Sequence, residues 1–145
     1  DPNYNNTTSI DTIATYGRLY NWFAVNTGKL APAGWHIPTD TEWITLTNYL
    51  GGGTLAGGKL KETSTNHWIN PNTEANNETG FTALPGGGRG VDGEFYEIGS
   101  FGYWWTSTED FNGVWYLVLS YHYSNLNRYN YNNKTIGLSV RCVKD

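Results

Sequence analysis

The stretch IPTDTEWITLTNYLGG, Ile37 to Gly52, decides how the rest of the chain is read. Thr39 followed three residues later by Glu42 is a capping-box signature, with Pro38 just outside the first turn. Trp43, Leu46 and Leu50 then recur at helical spacing, and Gly51 offers the left-handed residue at which helices commonly stop. The spacing predicts an amphipathic helix whose Trp/Leu stripe must be buried against other elements. Upstream, YGRLYNWFAVNTG (Tyr16 to Gly28) places Leu19, Tyr20, Phe23 and Ala24 at the same period, predicting a shorter helix that stops at Gly28. The opening DPNYNNTTSI is polar and reads as a lead-in over residues 1–12 or a short edge strand.

Downstream the character changes. Gly51 to Gly93 is expected to be mostly irregular, with glycine clusters at Gly51–Gly53, Gly57–Gly58 and Gly86–Gly88. Leu60, Trp68, Phe81 and Leu84 would pin these loops to a core. From Glu94 onward, FYEIG, YWWTST, VWYLVLSY and LSVRCV are aromatic and β-branched, as strands are. In VWYLVLSY one alternating set is Trp115, Leu117, Leu119 and Tyr121, the other Tyr116, Val118, Ser120 and His122. Both contain apolar groups, so the alternation names no inner face. Adjacent Trp104 and Trp105 point to opposite sides of a strand, which predicts one in the core and one bordering a ligand surface. Helices first and strands last predict an α+β fold rather than a doubly wound parallel sheet. There is no repeat or linker, and one domain over 1–145 is expected, with its C-terminal strands within 102–143.

Composition narrows the function. With 145 residues the chain is long enough for one ordinary core, and its 16% aromatic content means that large rings carry much of the burial. The net charge is −4 and no basic run exists, so a nucleic-acid backbone would find nothing to neutralise it. No apolar stretch approaches the roughly 20 residues that span a bilayer. The chain begins at Asp1 without an initiator Met or signal sequence, as a portion of a longer protein would. Low charge with abundant Tyr, Asn, Thr and Gly fits a secreted or cell-surface bacterial protein.

The segment WYLVLSYHYSNLNRYNYNN, Trp115 to Asn133, has the composition of a contact surface. Tyr gives large amphipathic area at little rotamer entropy, and Asn and Ser give adaptable hydrogen bonds. Neither Tyr nor Asn changes charge near pH 7, which suits catalysis poorly. Tyr116, Tyr121, His122, Tyr123, Asn125, Asn127, Tyr129, Asn130 and Tyr131 are the expected ligand-contacting residues. The bland alternative is a solvated sheet face with ordinary cross-strand tyrosine pairs.

YGRLYNWFAV, PAGWHIPTDTEW (Pro32 to Trp43), AGGKLKET (Ala56 to Thr63), HWINPNTEANNETGFTALPGG (His67 to Gly87), GYWWTSTE (Gly102 to Glu109) and GLSVRCV (Gly137 to Val143) resemble, in sequence and order, the Fibrobacter succinogenes major paralogous domain. That family is similar to C-type lectin-like domains and to the formylglycine-generating-enzyme fold. The resemblance implies two helices, a small antiparallel sheet, long irregular loops and a bacterial surface setting. Some lectin-like proteins of this kind are diversified by retroelements that alter adenines. The residues from Tyr121 to Asn125, with Asn127 and Tyr129 to Asn132, all fall within the set reachable from an AAY asparagine codon in that way. Family members commonly carry a cysteine just before PxGWH, where this chain has Ala31, leaving Cys142 without its expected partner and predicted to be a small buried hydrophobe.

Other chemistry is thinly supported. His36, in GWHIP, is expected to be structural through ring hydrogen bonds, and His67 to be a surface or packing residue. No HxH, HExxH or Cys–His spacing suggests zinc, and Ser107 lacks a GxSxG setting. The copper-binding cysteines of the formylglycine-generating enzymes are missing, so no enzymatic activity is expected. Calcium is the one cofactor to weigh: Asn72, Glu74, Asn76, Asn77 and Glu78 cluster, as do Asp92 and Glu94, though Asn-rich turns form without metal. GGGRG (Gly86 to Gly90) reads as a turn. Arg128 and Lys134 are expected to pair structurally, and Glu109 to anchor a loop. The expected function is non-enzymatic recognition of a protein or other surface macromolecule; the alternatives are a carbohydrate ligand or a purely structural module.

Overall fold

The computed structural model describes residues 9–145. Residues 1–8 of the expected lead-in lie outside the described residues, and its remainder is helical, since α1 spans Ser9–Tyr16. The order continues α2 (Trp22–Val25), β1 (Trp35–His36), α3 (Asp40–Tyr49), α4 (Gly53–Leu60), β2 (Gly88–Arg89), β3 (Phe95–Tyr96), β4 (Phe101–Asp110), β5 (Gly113–Ser120), β6 (Leu126–Tyr131) and β7 (Val143–Lys144). Among the described residues there are three antiparallel sheets: β4-β5-β6, β1-β7 and β2-β3. The fold class is α+β.

α3 forms as its sequence dictates. The Thr39 side chain accepts from the Glu42 backbone N–H, and Glu42 accepts in turn from the Thr39 N–H at 2.8 Å. Trp43 and Leu50 are buried, Leu46 packs beside them, and Gly51 has φ +95°.

The helix expected from Tyr16 to Gly28 is cut to the single turn α2. Gly17 has φ +79° and closes α1, while Tyr20 exchanges backbone hydrogen bonds with Leu138. The helix restarts only at Asn21, whose side chain caps the Ala24 N–H. Its buried residues are Trp22 and Val25, and Phe23 is exposed.

Two further expectations are corrected. The glycine-rich stretch after Gly51 holds a fourth helix rather than loop alone, because α4 needs its glycines for contact. A Cβ on Gly57 would lie 2.4 Å from the Asn125 carbonyl oxygen, and one on Gly58 2.4 Å from that of Glu74. GGGRG contributes a strand, β2, instead of being wholly a turn.

The three-stranded sheet is covered on both faces, which explains why β5 shows no clean alternation. On one face Trp104, Leu117, Leu119 and Leu126 pack with Trp43, Leu50, Ala56, Leu60 and Trp68. On the other, Trp105 and Val114 pack with Trp22, Val25, Ile37 and Leu138. Trp104 and Trp105 therefore both lie in core, one on each side, and neither borders an open surface. The free side of β4 is paired irregularly: Gly87 donates to Phe101, and Ser139 bonds both Tyr103 and Trp105. β6 is the other edge of the sheet.

Candidate functional site: a tyrosine face on the edge of the sheet

β5 pairs with β6 in unbroken register, Val114 opposite Tyr131, Tyr116 opposite Tyr129 and Val118 opposite Asn127. β4 sets Tyr103 opposite Val118 and Trp105 opposite Tyr116. Because directly paired residues share a face, Phe101, Tyr103, Trp105, Tyr116, Asn127, Tyr129 and Tyr131 all project to the same side. The rings form a continuous row: Phe101 to Tyr103 at 5.9 Å, Tyr103 to Tyr116 at 6.5 Å and Tyr116 to Tyr129 at 5.9 Å between centroids. Trp105 meets Tyr116 edge-on at 5.9 Å and seats the row on the core.

Exposure rises toward the edge. Tyr103 and Tyr116 are half-buried, while Tyr129 is 49% and Tyr131 52% exposed. The hydroxyls of Tyr116, Tyr129 and Tyr131 have no hydrogen-bond partner among the described residues, whereas Tyr103 donates to Glu97. Burial raises the Tyr103 phenol above its ordinary range, and the Glu97 carboxylate adds to the effect. Burial also raises Tyr116, with smaller contributions from Tyr129 and Tyr131. Tyr103 and Tyr116 therefore stay neutral at physiological pH.

The nine expected contact residues do not form one site. Tyr116, Asn127, Tyr129 and Tyr131 lie on the tyrosine face. Asn130 is turned to the other side, where its amide donates to Asp110 at 2.9 Å, so it is a structural residue. Tyr121, His122, Tyr123 and Asn125 belong to the β5–β6 loop, with Tyr121 half-buried against the core and His122 and Tyr123 exposed. The loop's aromatic rings contact one another, His122 to Tyr123 at 4.9 Å.

That loop is held through its backbone. Lys61 is completely buried, and its ammonium donates to the carbonyls of Thr73 (2.9 Å), Ser120 (3.0 Å) and Tyr123 (3.0 Å). Burial pushes its pKa down to about 8, leaving the charged form dominant at neutral pH. The Gly58 N–H donates to the Ser124 carbonyl, the Thr73 N–H to that of Tyr121, and the Tyr121 N–H to that of Ser100. Sequence reasoning missed Lys61, Phe101, Tyr103 and Glu97. The spacing of Phe101, Tyr103 and Trp105 already put those three on one face; a buried lysine leaves no such pattern.

The remaining polar residues act structurally. Arg128 lies 3.9 Å from the Trp115 ring centroid and ion-pairs with Asp40, and Lys134 ion-pairs with Glu109, fixing the chain after β6. His36 bonds Asp145 through Nδ1 (2.6 Å) and Glu42 through Nε2 (2.8 Å), and His67 bonds Glu62. Cys142 is free and half-buried, and burial raises its thiol pKa.

The residues weighed for calcium are engaged in turns. Asn72 donates to the carbonyls of Glu62 and Ser64, Asn77 bonds Thr82, Asn76 accepts from the Glu78 N–H, and Glu78 pairs with Lys59. Asp92 accepts from Tyr96 and from the Glu94 N–H. Among the described residues, no group of three His, Cys, Asp or Glu side chains is placed to hold a metal ion. A cleft of about 490 Å³ lies between α1 and the β2–β3 hairpin, lined by apolar and aromatic residues with Arg18 and Arg89. Among the described residues, its lining includes no His, Cys, Asp, Glu or Lys.

An α+β domain presenting an aromatic sheet edge is the class that this geometry defines. The chain belongs to the Fibrobacter succinogenes major domain family, whose sequence pattern matches residues 1–144. No curated protein and no solved structure matches it. No helix among the described residues is long and apolar enough to cross a membrane.

Proposed function

We propose that this domain is a non-enzymatic recognition module of a secreted or cell-surface bacterial protein, built on a C-type lectin-like framework. It contacts a protein or other surface macromolecule through the tyrosine face, with the β5–β6 loop as a second contact region. The observation that carries this reading is the graded row ending in Tyr129 and Tyr131, half-exposed on an edge strand with free hydroxyls. Fixed rings lose little entropy on binding, and half-buried Tyr103 and Tyr116 hold the outer pair in place. The loop supports the same reading, since its restraint through backbone atoms leaves His122 and Tyr123 free for contact. That restraint also tolerates substitution, as retroelement diversification of this segment would require.

A carbohydrate ligand is the second reading, favoured by free phenol hydroxyls beside the Asn127 amide. A glycan array set beside a pull-down from bacterial and host surface extracts separates the two. Retention of a protein partner with a silent array supports the first reading; saturable glycan binding lost in Tyr129→Ser supports the second. Binding by neither would leave a structural module.

A further inference from the structure

Elsewhere in the chain, aromatic rings are met by the protein's own cations. Lys61 lies over Trp68, Arg89 over Phe95, Arg128 over Trp115, Lys134 over Trp22 and Arg141 over Phe81, at 3.9–5.5 Å from the ring centroids. The touching rings of Phe101, Tyr103, Tyr116 and Tyr129, and Tyr131 on the same face, have no such partner among the described residues. What stands beside it is a carboxylate. Glu97 accepts from the Tyr103 hydroxyl, is exposed and enters no ion pair among the described residues. Its backbone has φ +64°, the left-handed region that side-chain-bearing residues seldom occupy away from functional or tightly constrained positions.

Ring faces carry negative potential, and a neighbouring carboxylate deepens it. The chain's net charge of −4 draws cations from a distance as well. We infer that the tyrosine row and Glu97 together form a receptor for a cationic side chain, arginine above lysine, presented by a protein partner. This rests on the reading of the same face as a contact surface and names what it contacts. A planar guanidinium can stack on the Tyr103 or Tyr116 ring while its N–H groups reach Glu97 at the Tyr103 hydroxyl, which a compact ammonium does less well. A neutral polyol can donate hydrogen bonds to Glu97 but forms no ion pair with it.

The test uses the isotopically labelled domain titrated with N-acetyl-arginine amide, with N-acetyl-citrulline amide as the uncharged isostere and methyl glucoside as the polyol. The arginine probe is expected to shift the Tyr103 and Tyr116 ring resonances saturably. Citrulline should bind several-fold more weakly, and Glu97→Gln should weaken the arginine probe by about three- to tenfold. Equal shifts from citrulline or the glucoside, or no shift from arginine, would overturn the inference. If Glu97→Gln fails to fold, the arginine–citrulline comparison on the unmodified domain decides. Partner capture lost in Tyr129→Ser/Tyr131→Ser but indifferent to Glu97→Gln and to salt would overturn the cation reading and leave the contact surface standing.

Discussion

Lys61 ties the Thr73 loop to the end of β5 and the adjoining β5–β6 loop, whose bonded carbonyls lie 59 and 62 residues from it in sequence. Replacing it with Met leaves three carbonyls without a donor, at a cost of about 2–4 kcal/mol, or roughly 10 °C in a thermal melt. The pH dependence has a definite sign. The folded lysine gives up its proton near pH 8, while an unfolded one keeps it to about 10.4. The unfolded chain therefore binds more protons in that window, and this group makes stability rise with pH across it. Denaturant melts between pH 7.5 and 10 should show a rise in the unmodified protein that Lys61→Met lacks; parallel profiles would refute it. His36 behaves oppositely. Hydrogen bonds that its ring donates to Asp145 and then to Glu42 raise its pKa, so its contribution is complete below about pH 6.5 and is lost as pH climbs through the raised value. An NMR titration should place His36 above a free histidine and show Asp145→Asn moving it back down.

α3 was legible in the sequence and α4 was not, for a physical reason. The signals for α3 are local: a cap, a stripe and a stop within a few turns. Thr39→Ala should cost about 1 kcal/mol by calorimetry. α4, GTLAGGKL, has the composition of a loop because close approach to the β5–β6 loop overrides helix propensity. Gly57→Ala should thus destabilise by about 2–3 kcal/mol despite alanine's advantage of about 1 kcal/mol in helices. Gly53→Ala, whose Cβ would meet the Leu126 carbonyl at an ordinary 3.4 Å, should stay within about 0.5 kcal/mol. Equal melting of the two variants would contradict the packing described for α4. The Tyr16–Gly28 helix failed for a related reason, since Tyr20 takes its backbone partners from Leu138, over a hundred residues downstream.

Across the whole molecule, the α+β class and the strand character of the C-terminal segment were readable, whereas the face that its residues share was not. Counting back from the Asp110–Gly113 hairpin would set Trp105 opposite Val118. The register instead slips by two between Glu109, opposite Val114, and Trp105, opposite Tyr116. A slip of two keeps every side chain on its face but changes its neighbours. The pairing of Tyr103 and Trp105 with particular β5 residues was thereby hidden, while Asn130 is turned away from the tyrosine face simply because it alternates with Tyr129 and Tyr131 along β6. The account stands on the tyrosine face being a contact surface rather than a solvated one. The most direct measurement compares capture from bacterial and host surface extracts by the unmodified domain and by Tyr129→Ser/Tyr131→Ser, at matched concentration and with thermal melts alongside. The account predicts melting temperatures within about 3 °C and capture reduced by roughly tenfold or more. Undiminished capture by the folded double variant would contradict it.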